Sequence, residues 1–486
     1  MSGSAPVPAL ADRASACADR LRAADRVLLA SHIDADGLTS AAVATTALAR
    51  AGIPVETVFK KQLDADEIES IAAREYDTVL FTDFGSGQLD VISEHVARGD
   101  FEAVVADHHQ PADPAGCHPD AVRETDGYAD FDHHCNPLLV GLDGASELSG
   151  AGAAYVLARA LEPADGDNRD LAALAVVGAV GDMQAVGGEL VGANAGIVEE
   201  GSAAGVLEEG TDLTLYGKQT RPLPKLLEYA TEVPIPGISN DQAGATRFLE
   251  ELGLDLRRDG EWRTWADLTD DERQTVASAL VQRAVQRGVP ADKIQSLVGT
   301  TYTLTDEPSG TELRDASEFS TLLNATARYE RADVGLAVCL GERAAPLERA
   351  RKLLATHRRN LSEGLDLVKE RGVTQAEHVQ YFDAGDAVRE TIVGIVAGMA
   401  LGTDGVDADK PIVAFADADG ERKVSARATG PLVGRGVDLS VVMREAAQSV
   451  GGDGGGHDIA AGATIPAGET EAFVAAADDV VADQLS

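Results

Sequence analysis

The sequence predicts a multidomain α/β protein. A parallel sheet with helices on both faces comes first, a helical middle module follows, and a smaller α/β domain closes the chain. Three observations carry this. Short apolar runs alternate with helical periods over residues 1–200. From about Glu199 to Arg331 the pattern turns helical and charged, with Pro/Gly breaks such as EVPIPGISN. From about Asp333 apolar runs and helices alternate again. With 486 residues the chain is too long for one ordinary core. Domains are therefore expected at 1–200, 201–330 and 331–486.

The elements follow in order. DRVLLAS reads as a strand, LTSAAVATTALARAG as a helix ended by Gly52, and PVETVFK as a strand. ADEIESIAAREY reads as a helix, DTVLFTD as a strand, QLDVISEHVARG as a helix and FEAVVAD as a strand. SELSGAGAAYVLARAL and NRDLAALAVVGAVGDM read as packed helices, the second so apolar that it is expected to be buried. In the last third VGLAVCLG, HVQYFDAG, PIVAFADADG, RKVSARATG and GATIPAG are the apolar runs. ETEAFVAAADDVVADQL is the closing amphipathic helix.

Charge is the strongest bulk signal. There are 81 acids against 41 bases, a formal net charge of −40. Such an excess repels itself and opposes nucleic-acid binding at low salt. At ~1 M salt the Debye length falls to roughly 3 Å and that repulsion is screened. The acids are spread along the whole chain, as in salt-adapted cytoplasmic proteins. No apolar run reaches the ~18 residues that cross a bilayer, and the N-terminus lacks the pattern of a signal peptide. A cytoplasmic protein with no membrane partner is expected. The four cysteines form no C-x-x-C pair, which argues against a disulfide framework or zinc ribbon.

Acids and histidines collect just after the predicted strands. HIDADG supplies His32, Asp34 and Asp36; TDFG supplies Asp83; DHH supplies Asp107, His108 and His109. In an open parallel sheet these positions share one edge. Within His32-x-Asp34-x-Asp36, alternate residues of an extended segment point the same way. A single Asp after a strand is usually a helix cap, but so many like charges together need a cation. Mixed carboxylate and imidazole ligands suit Mn²⁺, Mg²⁺ or Fe²⁺. Asp182, ending an apolar helix, is a further ligand candidate. A second Asp-His-His triplet, Asp132 to His134, follows the polar ETDGYADF.

The set HIDADG, TDFG, DHH and a helix ending in GD resembles the four-motif pattern of the DHH phosphoesterases. VSARATG followed by GGDGGGHDIAAGATI resembles the DHHA1 domain that accompanies DHH domains. ASEFSTLLNATAR and VGLAVCLG resemble RecJ-type nucleases, the archaeal RecJ-like branch in particular, which the composition fits. The resemblance implies two divalent cations, Mn²⁺ ahead of Mg²⁺. One would be held by His32, Asp34 and Asp83, the other by Asp36, Asp83, His108 and Asp182. It implies that His109 points at the scissile phosphate, that Asp107 orients a neighbouring imidazole, and that the first triplet is the working one. Of the second triplet, either His134 or Asn136 faces the site or the segment is a structural loop. Arg427, Gly454, Gly455, Gly456 and His457 would anchor substrate, with a helix beginning near His457 adding its positive end.

The expected function is RecJ-like: a metal-dependent single-strand exonuclease acting on DNA or RNA in repair or replication, releasing mononucleotides. Its active site is expected in the interdomain cleft. An oligonucleotide or dinucleotide phosphodiesterase of the same superfamily is the nearest alternative. A replisome scaffold with little activity, associated with the GINS complex, is the alternative of another class. The middle region from Asp241 to Gly299 is where such a partner would dock.

Overall fold

The computed structural model describes residues 5–185, 187–230, 233–403, 405–418 and 420–485. Glu232 of EVPIPGISN and Asp419 of PIVAFADADG fall outside them. The chain divides into two compact units, Met1–Ala350 and Arg351–Ser486.

The first unit begins with α1 (Ala11–Arg22) and then alternates: β1 (Val27–His32), α2 (Ala35–Arg50), β2 (Val55–Lys60), α3 (Ala65–Ala72), β3 (Thr78–Thr82), α4 (Leu89–Arg98) and β4 (Glu102–Ala106). A small hairpin, β5 (Arg123–Thr125) with β6 (Tyr128–Asp130), precedes the two-residue β7 (His134–Cys135). The sheet is wholly parallel, ordered β2-β1-β3-β4-β7. Its inner strands are continuous apolar runs because both faces are covered. Each strand-end loop therefore opens on the same edge, where the acids and histidines lie.

α5 (Gly150–Ala160) and α6 (Ala172–Gly181) pack on α2. Twelve residues of α2 are buried, so most of its alanines and its one glycine are contacts rather than spacers. α7 (Gly192–Ala204) leads to β8 (Leu207–Leu213), then α8 (Leu223–Glu228), α9 (Gln242–Glu251), the short hairpin β9 (Arg257–Arg258) and β10 (Glu261–Trp262), α10 (Asp270–Gln286) and α11 (Ala291–Gln295). β11 (Val298–Leu304) returns antiparallel to β8. The middle region is thus mainly helical, but it is clasped by a two-stranded ladder that the sequence reading missed. Glu208 and Glu209 in β8 and the run of threonines in β11 gave no core-like alternation.

α12 (Ala316–Arg328) and α13 (Ala332–Cys339) pack back on α2. VGLAVCLG, expected among the strands of the last α/β pattern, is therefore mostly helix. A short apolar run has no period of its own, and here it covers Leu38: a methyl on Gly335 would lie 2.7 Å from the Leu38 side chain.

The long helix α14 (Ala345–Arg371) leads into β12 (Thr374–Gln375), β13 (Gln380–Asp383), α15 (Glu390–Ala400), β14 (Ile412–Ala418), β15 (Glu421–Arg427), α16 (Gly430–Gly434), α17 (Leu439–Ser449), β16 (Asp453–Gly456), β17 (Ala460–Pro466) and α18 (Thr470–Leu485). The second unit holds one mixed sheet, ordered β12-β13-β14-β15-β17-β16. α17 and α18 cover one face around Phe415, Met443 and Phe473; α15 covers the other around Val393 and Val396. The helix expected near His457 is absent. GGDGGGH instead forms the edge strand β16 and turns into β17, with Gly455 opposite Gly462. Gly454 sits so close to α17 that a Cβ would meet the Met443 carbonyl oxygen at 2.6 Å, and that packing makes the glycine run a strand.

Candidate metal centre

His32 ends β1, and its loop turns at once into α2. Asp34 is the helix N-cap, its Oδ1 accepting from Gly37 N at 3.0 Å, and Asp36 lies in the first helical turn. The three residues therefore converge through a strand-to-helix turn and not along an extended segment. Gly37 permits that turn, since a Cβ there would overlap the His32 carbonyl oxygen at 2.1 Å. Asn324 of α12 steadies it, its Oδ1 accepting from Ala35 N at 3.1 Å.

Asp83 follows β3 with φ of +58°, a left-handed conformation that non-glycine residues rarely adopt. Its N–H donates to the Ala106 carbonyl across the sheet at 3.1 Å. The side chain is 2% exposed and splits its two oxygens. Oδ1 faces His108 Nε2 at 3.3 Å, and Oδ2 faces His32 Nδ1 at 3.5 Å. Oδ2 is buried without a hydrogen-bond partner. A buried carboxylate oxygen left in that state is costly unless a cation meets it.

Around Asp83, among the described residues, three ligand groups lie with their donor atoms within 4.8 Å of one another: His32, Asp34 and Asp83; Asp36, His108 and Asp182; and Asp83 with Asp107, His108 and His109. In the first, His32 Nδ1 is 3.1 Å from Asp34 Oδ2. In the second, His108 Nε2 is 3.8 Å from both Asp36 Oδ2 and Asp182 Oδ2. His108 Nδ1 lies 2.7 Å from the Gly144 carbonyl oxygen. That acceptor requires the proton on Nδ1 and leaves the Nε2 lone pair facing the carboxylates, the arrangement of a metal-binding imidazole.

The electrostatics ask for positive charge. Burial pulls the His32 pKa down, but Asp34 and Asp83 prevail and push it up to about 11. Burial together with Asp83 and Asp182 pushes the Asp36 carboxyl well up. Asp182 is also raised, chiefly by burial. For Asp83 burial opposes ionisation, yet the facing His108 and His32 imidazoles prevail and hold it at about 2. Protons thus gather where cations would otherwise neutralise the carboxylates, so the donor set fits divalent ions.

Backbone glycines make room for this. Asp36 accepts from the Gly150 and Ala151 N–H groups at the start of α5, at 2.7 and 3.0 Å. A Cβ on Gly150 would stand 2.3 Å from Asp83 Oδ1, and one on Gly178 would stand 2.4 Å from Asp36 Oδ1. The buried Gln184 joins Asp182 Oδ2 to the Gly144 carbonyl, at 2.9 Å each, and is itself held by Asn194. Sequence reasoning missed Gly150, Gly178, Gln184 and Asn324 as supporting residues. The SGAG, VVGAVGDMQ and LLNATAR strings contained them, but nothing in a single string marks a backbone contact.

Asp107 is fully buried and anchors the first triplet. Its Oδ1 accepts from His108 N at 2.7 Å and lies 2.8 Å from His109 Nδ1; its Oδ2 accepts from Ser86 N at 3.0 Å. Burial opposes its ionisation, but His109 prevails and holds the carboxyl well below the usual range. His109 itself is exposed, and Asp107 raises its pKa against the effect of burial. A cavity of about 370 Å³ opens beside His32, Asp83 and His109, with Lys61, Phe84 and Gln88 also in its wall. A larger cavity, about 830 Å³ between α10 and the β8–β11 ladder, touches none of these groups.

In the second unit, Arg427 ends β15 opposite Ala460, and Gly456 pairs with Ala461. His457 N donates to the Ala460 carbonyl at 2.9 Å. Arg427 at the end of β15 and Gly456 and His457 at the end of β16 thus share one end of the sheet, on either side of β17, with Gly454 and Gly455 further along the β16 edge.

Residues 215–298 match the DHH-CID domain and residues 376–483 the DHHA1 domain. An uncharacterized protein of Methanocaldococcus jannaschii is 27% identical over 458 residues, covering 94% of this chain and 93% of that one. Among solved structures, RecJ with Mn²⁺ from Thermus thermophilus is 20% identical with a TM-score of 0.59, over 99% of this chain. The chain spans 56% of that RecJ. A manganese-bound exonuclease RecJ, 20% identical with a TM-score of 0.58, is matched over 98% of this chain and 95% of its own. CDC45 from Entamoeba histolytica is 10% identical with a TM-score of 0.63, over 96% of this chain and 97% of that one. The chain thus carries segments that match the DHH-CID and DHHA1 domains, on a RecJ-like fold.

Proposed function

We propose that this protein is a metal-dependent exonuclease that hydrolyses single-stranded DNA or RNA from one end and releases mononucleotides, in DNA repair or replication. The DHH superfamily is one of metal-dependent phosphoesterases, and two of the matched RecJ structures hold manganese. The observation that carries the reading is Asp83: one buried carboxylate offers Oδ1 to the His108 side and Oδ2 to the His32 side. One ion would take His32, Asp34 and Asp83; the other would take Asp36, Asp83, His108 and Asp182. Mn²⁺ is the first candidate and Mg²⁺ the second. When bound, two such ions supply a water of lowered pKa and neutralise charge on the phosphate.

The protein's own groups do the rest. The Gly144 carbonyl keeps the His108 proton on Nδ1. Asp107 keeps the His109 proton on Nδ1 and directs Nε2 outward to a phosphate oxygen. The raised pKa of His109 favours the imidazolium, which donates from Nε2 as negative charge grows on the phosphate. Arg427, Gly454, Gly455, Gly456 and His457 hold other phosphates of the strand through guanidinium and backbone N–H groups. Replisome proteins, GINS among them, are the protein partners that this reading carries. An intact ligand set favours an enzyme over a scaffold, because a scaffold has no use for buried carboxylates that repel one another.

The test is hydrolysis of end-labelled single-stranded DNA and RNA with Mn²⁺ in high-salt buffer. Stepwise mononucleotide release that vanishes on Asp83→Ala supports the reading, and the labelled end gives the polarity. Release of nothing from either strand, with dinucleotides also untouched, would overturn it.

A further inference from the structure

We propose that the second Asp-His-His triplet serves the first: His134, acting through Ser86 and Asn136, is a positioning residue that fixes the backbone and ring of His109. This rests on the proposed function, which gives His109 its role at the phosphate.

His134 lies in β7, next to β4, and is fully buried. Its Nε2 is 2.9 Å from Ser86 Oγ. Asn136, also fully buried, donates from Nδ2 to Ser86 Oγ and to the His109 carbonyl oxygen, each at 2.9 Å. Its Oδ1 accepts from Leu138 N at 2.9 Å, which fixes the orientation of the amide. Ser86 N meets Asp107 Oδ2, and Asp107 Oδ1 meets His109 Nδ1. His109 is thus held at two points, its carbonyl by Asn136 and its ring by Asp107, and both holders touch Ser86.

The proton directions follow from the donors. The Asn136 amide can only donate through Nδ2, so Ser86 Oγ accepts from it. The Ser86 hydroxyl proton is then free for His134 Nε2 to accept. In that arrangement the His134 proton is on Nδ1, which faces Asp130 Oδ1 at 3.5 Å without a hydrogen bond. Asp130 stays ionised because Arg13 grips both its oxygens at 3.0 Å and Arg123 and Thr125 add their own bonds. The hydrogen-bonded chain runs from His134 through Ser86 and Asn136 to the His109 carbonyl, with the Asp130 carboxylate beside its far end.

Asp130, His134 and Ser86 also stand in the order of a hydrolytic triad. Ser86 is fully buried, so its hydroxyl meets no substrate. What a buried imidazole can do here is hold its neighbours.

The test is a double-mutant cycle on single-stranded DNA. Asn136→Ala is expected to lower kcat about 10- to 100-fold through a displaced His109, with KM and Mn²⁺ affinity as in the wild type. In a His109→Ala background it should change kcat by less than about two-fold, since the two act as one unit. Ser86→Ala should behave in the same way and serves if Asn136→Ala does not melt as a folded protein. An Asn136→Ala enzyme as fast as wild type, or one that loses the same factor with and without His109, would overturn the proposal. Should the wild type cleave no phosphodiester, the functional reading fails, and the crystal structure of the Asn136→Ala variant decides the positioning role. A shifted His109 carbonyl and ring would support it; an unmoved His109 would overturn it.

Discussion

The two Asp-His-His triplets adjoin neighbouring strands of one sheet, β4 and β7, and are built in opposite senses. In Asp107, His108 and His109 the order is buried, buried, exposed; in Asp132, His133 and His134 it is exposed, half-buried, buried. The first starts just past the end of β4, so its side chains emerge at the strand-end edge beside Asp83. The second starts before β7, so its last histidine is a strand residue turned into the core. The ladder aligns them: Val105 N donates to the His133 carbonyl and Asp107 N to the Cys135 carbonyl. Identical letters thus receive different work from register alone, since a strand end presents side chains to a ligand and a strand interior presents them to packing.

The sharpest break in the comparison comes from its carboxylates. Asp83→Ala should lower hydrolysis by more than about 10³-fold, the loss of a charge clamp worth several kcal/mol. Asp132→Ala, at a side chain 82% exposed and paired with Arg123, should leave the rate unchanged. Gly150→Ala comes next. Its new methyl must displace the Asp83 carboxylate, and a shift of that kind costs about 10²-fold, read as lost activity together with weakened Mn²⁺ binding. Asp107→Asn keeps the shape but weakens the grip on His109 and should cost about 10- to 100-fold, whereas Asp132→Asn should cost nothing measurable.

Stability should separate the triplets too. Chelation by EDTA should lower the melting temperature, because ions that bind only the folded state stabilise it by about 2.7 kcal/mol at a hundredfold excess over Kd. Mn²⁺ should restore it, and Asp83→Ala should abolish most of the difference. The smallest effect belongs to Asp130 behind the second triplet. Burial raises its pKa, but His134, Arg13 and Thr125 outweigh burial and hold it below the ordinary carboxylate value. Its contribution is therefore present above about pH 4 and lost as pH falls further. Asp130→Asn should be less stable near neutrality, with the gap to wild type narrowing on acid titration below pH ~4.

Much of this was legible in the sequence. The alternation of apolar runs and helices gave the parallel sheet, and the strand-end rule gathered His32, Asp34, Asp36, Asp83 and the first triplet at one edge. What the sequence hid were contacts made through the backbone or at long range. β7 is only two residues long, too short for a hydrophobic pattern, so the place of His134 could not be read. Gly150 and Gly178 act by what they lack, and Asn324 reaches Ala35 across 289 residues. GGDGGGH was not legible as a strand because glycine carries no strand pattern, yet packing against α17 makes it β16.

The central claim is that Asp83 joins two ion sites. Anomalous diffraction at the manganese edge, from crystals grown with Mn²⁺, tests it most directly. The account predicts two peaks, one among His32, Asp34 and Asp83 and one among Asp36, Asp83, His108 and Asp182. Peaks that do not touch Asp83, or none at all, would contradict it.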